Sequence, residues 1–522
     1  MKLPKLVAIS AALAMVAQAH FTFILPLPGD EAAEMILGDT LSTRDTVNPS
    51  LAAGARLYLR DAQGTVTPLK MDQDGHRFLL SLPGRGDRVI YGAANLGVAS
   101  RGKDARPHLL LYYTKTILGN AYAAGTIIGG DQVVEITPQG KPGQVSLHVA
   151  ARGKALADAE ITVLLPDGQQ QKVKTNAAGL VGPFTQHGRY GAWARYWEDK
   201  SGDHEGKHYD QTRHYGMLVF DSLAQPQSVA PLLEKTSSFG AVVEGDWLYV
   251  YGGHVARTHS YSTASVSGQF SRRKLSGGAW EPLPAATPLQ GLNLAAYAGK
   301  VCRVGGMQPR NAAGEKTNNV SVAEAACFLR QQGTWEALPA LPLPRSSHDV
   351  AVVGDQLIIT GGWTLQGTEP TLWAKTTLIL DLKNPAAGWR EVAQPFERRA
   401  LVTAVWGGRV YVIGGITPSG KVSSEVDIYD PATNVWTKGP ALPGDKMTGF
   451  APAAAVLGNK LYASTGDGSL LVLHDATQPW QRVAQTAPRL AHRMVPGPDG
   501  LYILGGAVKG GNLDLTEKLA IQ

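Results

Sequence analysis

Cysteine is nearly absent from this chain. Its 522 residues include two, Cys302 and Cys327. A zinc site of the CxxC…CxxC kind is therefore excluded, and so is a disulfide-rich scaffold. A single bridge between the two stays open as an alternative to two buried thiols. Charge is also sparse. Charged residues make up 18% of the chain, and the net charge is only +6. The basic residues are scattered and form no run, so nothing marks a nucleic-acid footprint. Past the first residues, no apolar stretch approaches the roughly 18 residues of a bilayer span.

Turn-forming residues are abundant instead, with 60 Gly and 32 Pro and no collagen-like period. Together with 44% hydrophobic residues, this describes a globular chain of short strands joined by many turns. Its length calls for two or three domains.

The first 19 residues read as an address. Lys2 and Lys5 precede the apolar stretch Leu6 to Val16, which is too short to span a membrane, and Ala17-Gln18-Ala19 is a small-x-small cleavage site. A cleavable signal peptide of bacterial style implies a periplasmic protein with no membrane insertion after cleavage. That compartment permits a Cys302–Cys327 bridge. Cleavage after Ala19 leaves His20 first, where its free amine and its imidazole can chelate one metal ion together.

From residue 237 onward a unit recurs: apolar strand, turn, apolar strand ending in Gly-Gly, variable loop, third strand, then Trp and a Leu-Pro stretch. The pairs are Gly252-Gly253, Gly305-Gly306, Gly361-Gly362, Gly414-Gly415 and Gly505-Gly506, with Thr465-Gly466 in the fifth place. The closing tryptophans are Trp280, Trp335, Trp389, Trp436 and Trp480. A period near 50 with this pattern resembles the kelch repeat. The resemblance covers residues 223–522 and implies a β-propeller of six blades. Residues 230–238 echo residues 339–347, so the segment before the first repeat is expected to supply the outer strand that the last repeat lacks.

Residues 20–222 lack the repeat and read as short strands. They divide into an N-terminal β module over 20–140 and an immunoglobulin- or transthyretin-like β-sandwich over 141–222. The second carries the strand Glu160-Ile161-Thr162-Val163 followed by the turn Thr175-Asn176-Ala177-Ala178-Gly179. The fold class is thus all-β. The opening His20-Phe21-Thr22-Phe23-Ile24-Leu25-Pro26 and the closing strands through His214-Tyr215-Gly216-Met217-Leu218-Val219-Phe220 resemble an exported bacterial family of largely unknown function. That family includes the periplasmic substrate-specific component of nickel uptake systems. The resemblance implies transition-metal handling.

Two candidate sites follow. In the first, His20 binds Cu or Ni with His204 or His208 from the loop Asp203-His204-Glu205-Gly206-Lys207-His208, since imidazole suits both metals. A solvated polar loop is the alternative. In the second, Arg345, Arg398 and Arg489 share one repeat position just before the inner strand, and His348 and His492 share another. Side chains there can form a cationic propeller mouth for an anionic small molecule or a carbohydrate. The alternative is that each Arg pairs with local acids. Three readings result: an exported binding protein holding a transition metal, a carbohydrate-active enzyme of the sugar-acid mutarotase kind using His348 or His492 as a proton-transfer group, and a scaffold that binds a protein partner.

Overall fold

The computed structural model describes residues 20–27, 30–41, 49–84, 86–100, 106–444 and 447–521. The signal-peptide reading, on residues 1–19, lies outside them. Among the described residues every long element is a strand, and no helix is long and apolar enough to cross a membrane. Contacts divide the chain into two compact units. The first takes residues up to 140, then 145–183 and 190–221; the second holds most of the rest, from 222 onward.

In the first unit, one eight-stranded sheet runs through both expected modules. Its order is Gln170–Lys174, Glu160–Leu164, Gly188–Glu198, Gln211–Ser222, His108–Leu118, Arg88–Ala99, Arg56–Asp61 and Val66–Leu69. The expected boundary at 140/141 therefore falls inside a continuous structure. It is joined where Gln211–Ser222 pairs in parallel with His108–Leu118, from Gln211 opposite His108 to Phe220 opposite Ile117. Both strands are buried over most of their length, so burial on two faces favours their pairing over an exposed edge. A second sheet is laid against it: the Thr114 and Thr116 hydroxyls donate to the carbonyls of Thr22 and Ile24 at 2.9 and 2.8 Å. Phe21 stacks on Trp193 at 4.1 Å, within a core that includes Tyr112, Met217 and Val219.

The second unit contains six four-stranded antiparallel sheets in chain order, consistent with a kelch propeller. Their inner strands are Gly240–Glu244, Leu294–Tyr297, Asp349–Val353, Val402–Trp406, Ala453–Leu457 and Arg493–Gly497. Each inner strand touches the next, and the sixth touches the first. The outer strand of the sixth sheet is Gln227–Val229, which pairs with Thr516–Leu519. Cys302 and Cys327 face each other across neighbouring strands of the second sheet and are joined as a disulfide, both nearly fully buried.

The Gly-Gly pairs serve the contact between sheets. The second glycine of a pair donates to a carbonyl at the entry to the following sheet: Gly253 to Leu289, Gly306 to Arg345, Gly362 to Arg398, Gly415 to Gly449 and Gly506 to Thr236, at 2.7–2.8 Å. A Cβ on Gly252 or Gly305 would stand 2.4 Å from that same carbonyl oxygen. The repeat needs glycine because backbone approaches backbone there. The closing tryptophans also tie sheets together: Trp280, Trp389 and Trp480 donate from Nε1 to the carbonyls of Pro231, Pro339 and Pro440.

One feature of the ring has no counterpart in the sequence pattern. Ser238, Gly291, Ser347, Ala400, Ala451 and Ala491 sit two or three residues before the inner strands, and all have φ between 46° and 63°. Their amides form a closed circuit. Gly291 donates to Ser238, Ser347 to Gly291, Ala400 to Ser347, Ala451 to Ala400, Ala491 to Ala451 and Ser238 to Ala491, at 2.7–3.2 Å. Left-handed backbone costs an L-residue roughly 1–2 kcal/mol, so five of the six positions hold strain that the circuit offsets. Val in place of Ala400 should be about 1–2 kcal/mol less stable than Gly there, because the β-branched side chain crowds the left-handed backbone. Urea midpoints of the Ala400→Val and Ala400→Gly variants measure this directly; equal midpoints would show that the circuit does not require φ > 0.

Candidate functional site

Residues entering the inner strands alternate in direction, and this alternation decides what reaches the mouth. Arg345, Arg398 and Arg489 turn into their own sheets. Arg345 Nη1 donates to the carbonyl of Thr376 at 2.8 Å. Arg398 donates to the carbonyl of Glu425 at 3.0 Å and is paired with Asp427. Arg489 bonds the carbonyls of Gly505 and Leu515 and is paired with Glu517. All three are buried, and each meets the third strand of its own sheet or the turn leading into it. The expected cationic mouth is therefore corrected: these guanidinium groups do not converge on the channel. Arg398 and Arg489 pair within their own sheets, with Asp427 and Glu517, and Arg345 bonds the Thr376 carbonyl.

His348 and His492 are likewise interior. His348 Nε2 meets the carbonyl of Val304 at 3.1 Å, and His492 Nε2 meets the Ser464 hydroxyl at 3.0 Å. Each links its sheet to the end of the preceding sheet's second strand. Burial, reinforced by the neighbouring Arg345 or Arg489 charge, pushes both rings down to about 3. They stay neutral near pH 7 and have no path to a ligand at the mouth.

The channel just inside the amide circuit holds a pair that sequence reasoning missed. Arg493, from the sixth sheet, donates from Nε to the Phe239 carbonyl at 2.7 Å and from Nη2 to the Leu292 carbonyl at 2.6 Å. Its Nη1 lies 3.7 Å from Asp349 Oδ1 of the third sheet. Asp349 is fully buried and accepts the Thr403 amide at 2.7 Å. Burial pushes the Asp349 carboxyl up and the Arg493 guanidinium down, while each one's charge opposes the shift in the other. One cation thus ties the first, second, third and sixth sheets together across the channel. The signal was present at a repeat position that reads Gly240, Asn293, Asp349, Val402, Ala453 and Arg493: one acid and one base among neutral residues.

The mouth is formed by the residues one place before the circuit: Ser237, Gln290, Ser346, Arg399 and Leu490. Each pairs with the residue after a Gly-Gly, namely His254, Met307, Trp363, Ile416 and Ala507. Loops rise beyond them and cross-tie. The hairpins of the second and third sheets merge into a further four-stranded sheet, Met307–Pro309, Asn319–Ser321, Trp363–Gln366 and Glu369–Trp373. Asn311 Nδ2 donates to the Tyr261 carbonyl at 2.8 Å, and Asn512 Nδ2 donates to the carbonyls of His254 and Ala256. The loops of sheets six, one, two and three form one continuous crown. The fifth sheet has only the turn 465–469, held by Asp467.

In the first unit the candidate metal ligands His20 and His208 have separate polar partners. His20 Nδ1 is 3.3 Å from Asp39 Oδ1. His204 and His208 belong to a hairpin in which His208 faces Asp203 and His204 faces Lys207. Directly opposed residues share a face and adjacent pairs alternate, so the two imidazoles lie on opposite faces of the hairpin. Among the described residues, no group of three or more His, Cys, Asp or Glu side chains is placed to hold a metal ion.

Two outcomes test this interior. A His ring held near 3 stays neutral in the folded state, whereas the unfolded chain takes up a proton below about 6.5. Stability from these groups is therefore full above pH 6.5 and falls as pH drops toward 3, by about 1.4 kcal/mol per unit for each ring. Phe239 and Leu292 occupy the equivalent positions, so the His348→Leu/His492→Leu variant should keep its pH 7.5 melting temperature and lose less than the parent on going to pH 5. An unchanged pH dependence would contradict the burial assigned to the rings. For the channel pair, Asp349→Asn and Arg493→Met should each cost about 3–5 kcal/mol, and the double variant clearly less than the sum. Strict additivity in denaturant unfolding would show the two groups to be uncoupled.

Comparison with known proteins agrees with the repeat. A kelch motif matches residues 397–443. The chain is similar to Kelch-like protein terF of Aspergillus terreus, 29% identical over 201 residues, covering 33% of this chain and 42% of that protein. It is similar to human Kelch-like protein 33, 37% identical over 137 residues, with 26% and 24% covered. It also matches Kelch repeat and BTB domain-containing protein 12 of Danio rerio, 25% identical over 262 residues, with 47% and 41% covered. The chain thus spans between about a quarter and two fifths of the length of these relatives. Among solved structures, YjhT aligns with 56% of this chain and 99% of its own at 13% identity and a TM-score of 0.45. The chain carries a kelch-repeat domain.

Proposed function

We propose that this protein is an exported interaction scaffold: an all-β N-terminal unit of sandwich type carrying a six-bladed kelch propeller, whose crowned mouth docks a protein partner. The observation that carries the reading is the crown. Loops of unequal length are bonded to one another above a floor made of backbone, so the face is pre-ordered and its side chains are free to vary. Pre-ordering lowers the entropy lost on docking. The kelch-like relatives support the same reading. The buried Cys302–Cys327 bridge supports an oxidising compartment.

The competing readings have less behind them. A sugar-acid mutarotase needs an accessible acid or base, whereas His348 and His492 are enclosed and neutral. A copper or nickel site on His20, His204 and His208 has less support, since the hairpin register puts the two hairpin imidazoles on opposite faces.

Photo-crosslinking locates the docking face. A benzophenone side chain replaces Lys316 or Lys421 at the mouth, or Lys460 at the opposite end of the fifth sheet, in cells that make the protein. A discrete adduct from the mouth positions and none from Lys460 is expected. An adduct confined to Lys460, or none at any position, would overturn the reading.

A further inference from the structure

Arg399 lies at the mouth, one residue from the interior Arg398, in a setting unlike that of its neighbour. Its guanidinium lies 4.0 Å from the centroid of the Trp363 ring, and Trp363 meets Trp373 edge-on at 5.4 Å. Tyr261, on the crown loop of the first sheet, is close enough for its charge and that of Arg399 to influence one another. Among the described residues, no carboxylate is paired with Arg399 and no carbonyl accepts from its side chain. Its Nε is buried without an acceptor, as is the indole Nε1 of Trp363 stacked beneath it. Arg399 and Trp363 therefore present two buried donors without acceptors.

The charges on the surrounding loops balance in number: Arg257, Arg310, Lys316, Lys375, Lys421 and Lys509 stand against Glu315, Glu324, Glu369, Glu425, Asp467 and Asp514. Of the acids, Glu315 accepts the Ala312 amide and Asp467 accepts from Thr465 and Ser469, so both are engaged within their own loops. A guanidinium over the face of an indole is held by that contact while its planar N–H fork stays available, and that fork fits two oxygens of one carboxylate.

We propose that Arg399, held on Trp363 and flanked by Tyr261, is a carboxylate seat at the mouth of the propeller. This rests on the docking reading and narrows it: the group that enters is an acidic one. The carboxylate belongs either to an Asp or Glu side chain of the docked partner or to a free small acid. The chemistry is the same in both cases, and binding weakens with salt because the attraction is between opposite charges at a partly exposed site.

The test titrates the intact protein with three probes: a tetra-glutamate peptide blocked at both ends, its tetra-glutamine counterpart, and glutarate. Tetra-glutamate or glutarate should bind, and tetra-glutamine should not. A peptide preference assigns the seat to a partner side chain, and a glutarate preference assigns it to a free acid. Arg399→Gln should weaken binding roughly tenfold to a hundredfold, as expected for loss of a charged hydrogen-bonding pair. Arg399→Lys keeps the charge without the planar fork and should fall between, and Tyr261→Phe should cost a few-fold. Melting temperatures close to the parent's identify variants that remain folded. If neither carboxylate probe binds, or if Arg399→Gln and Arg399→Lys both bind like the parent, the seat is overturned. A mouth crosslink that survives in Arg399→Gln, with no carboxylate binding in the parent, removes the seat and leaves the scaffold. Carboxylate binding without any mouth crosslink removes the scaffold and leaves the seat.

Discussion

Six amides passing hydrogen bonds around a closed circuit are the constraint on which the propeller depends. Each bond is ordinary, worth about 1 kcal/mol net. Their effect comes from closure, since no sheet can tilt or withdraw without opening two of them. The circuit sets the spacing at which the glycine pairs meet the next sheet, and it holds the inner strands close enough for Arg493 to reach across to Asp349. The left-handed backbone at its six members is the geometric condition for an amide to point sideways to the next sheet rather than along its own strand.

Below this circuit the interior is polar as well as apolar. His348, His492, Arg345, Arg398, Arg489, Arg493 and Asp349 are all buried, and every one has a hydrogen-bonding or charged partner on a defined strand or turn. An apolar core would pack the sheets with little preference for register. Buried donors that must find particular carbonyls penalise a slipped or rotated sheet, because each slip leaves a charged group without a partner.

The repeat could be read from the chain because it rests on glycine. A residue that must lack a Cβ leaves a trace at regular spacing, so the order of strands and the shared position of Arg345, Arg398 and Arg489 were visible. Which way those side chains point was not, since periodicity gives equivalence and not direction. One residue of alternation separates Arg398, inside its sheet, from Arg399 at the mouth. The circuit itself was hidden because its members are Ser, Gly and Ala, with no composition in common. In the first unit the difficulty is distance along the chain. Residues 108–118 and 211–222 pair in parallel, and nothing local to either strand names its partner. The hairpin histidines show the reverse: their nearness in sequence suggests a joint ligand set, while the strand pleat separates them.

The sixth sheet also has a consequence in time. Its outer strand, Gln227–Val229, is made long before its partner Thr516–Leu519. About 290 residues lie between them, which at roughly 5–20 residues per second is about 15–60 s of synthesis. For that interval the first sheets can form, but the ring cannot shut and an unpaired strand edge stays available to other chains. Completion waits for Thr516–Leu519 to be made. A chaperone that shields one short strand during that interval would do more for the yield of closed rings than one that accelerates folding of any single sheet.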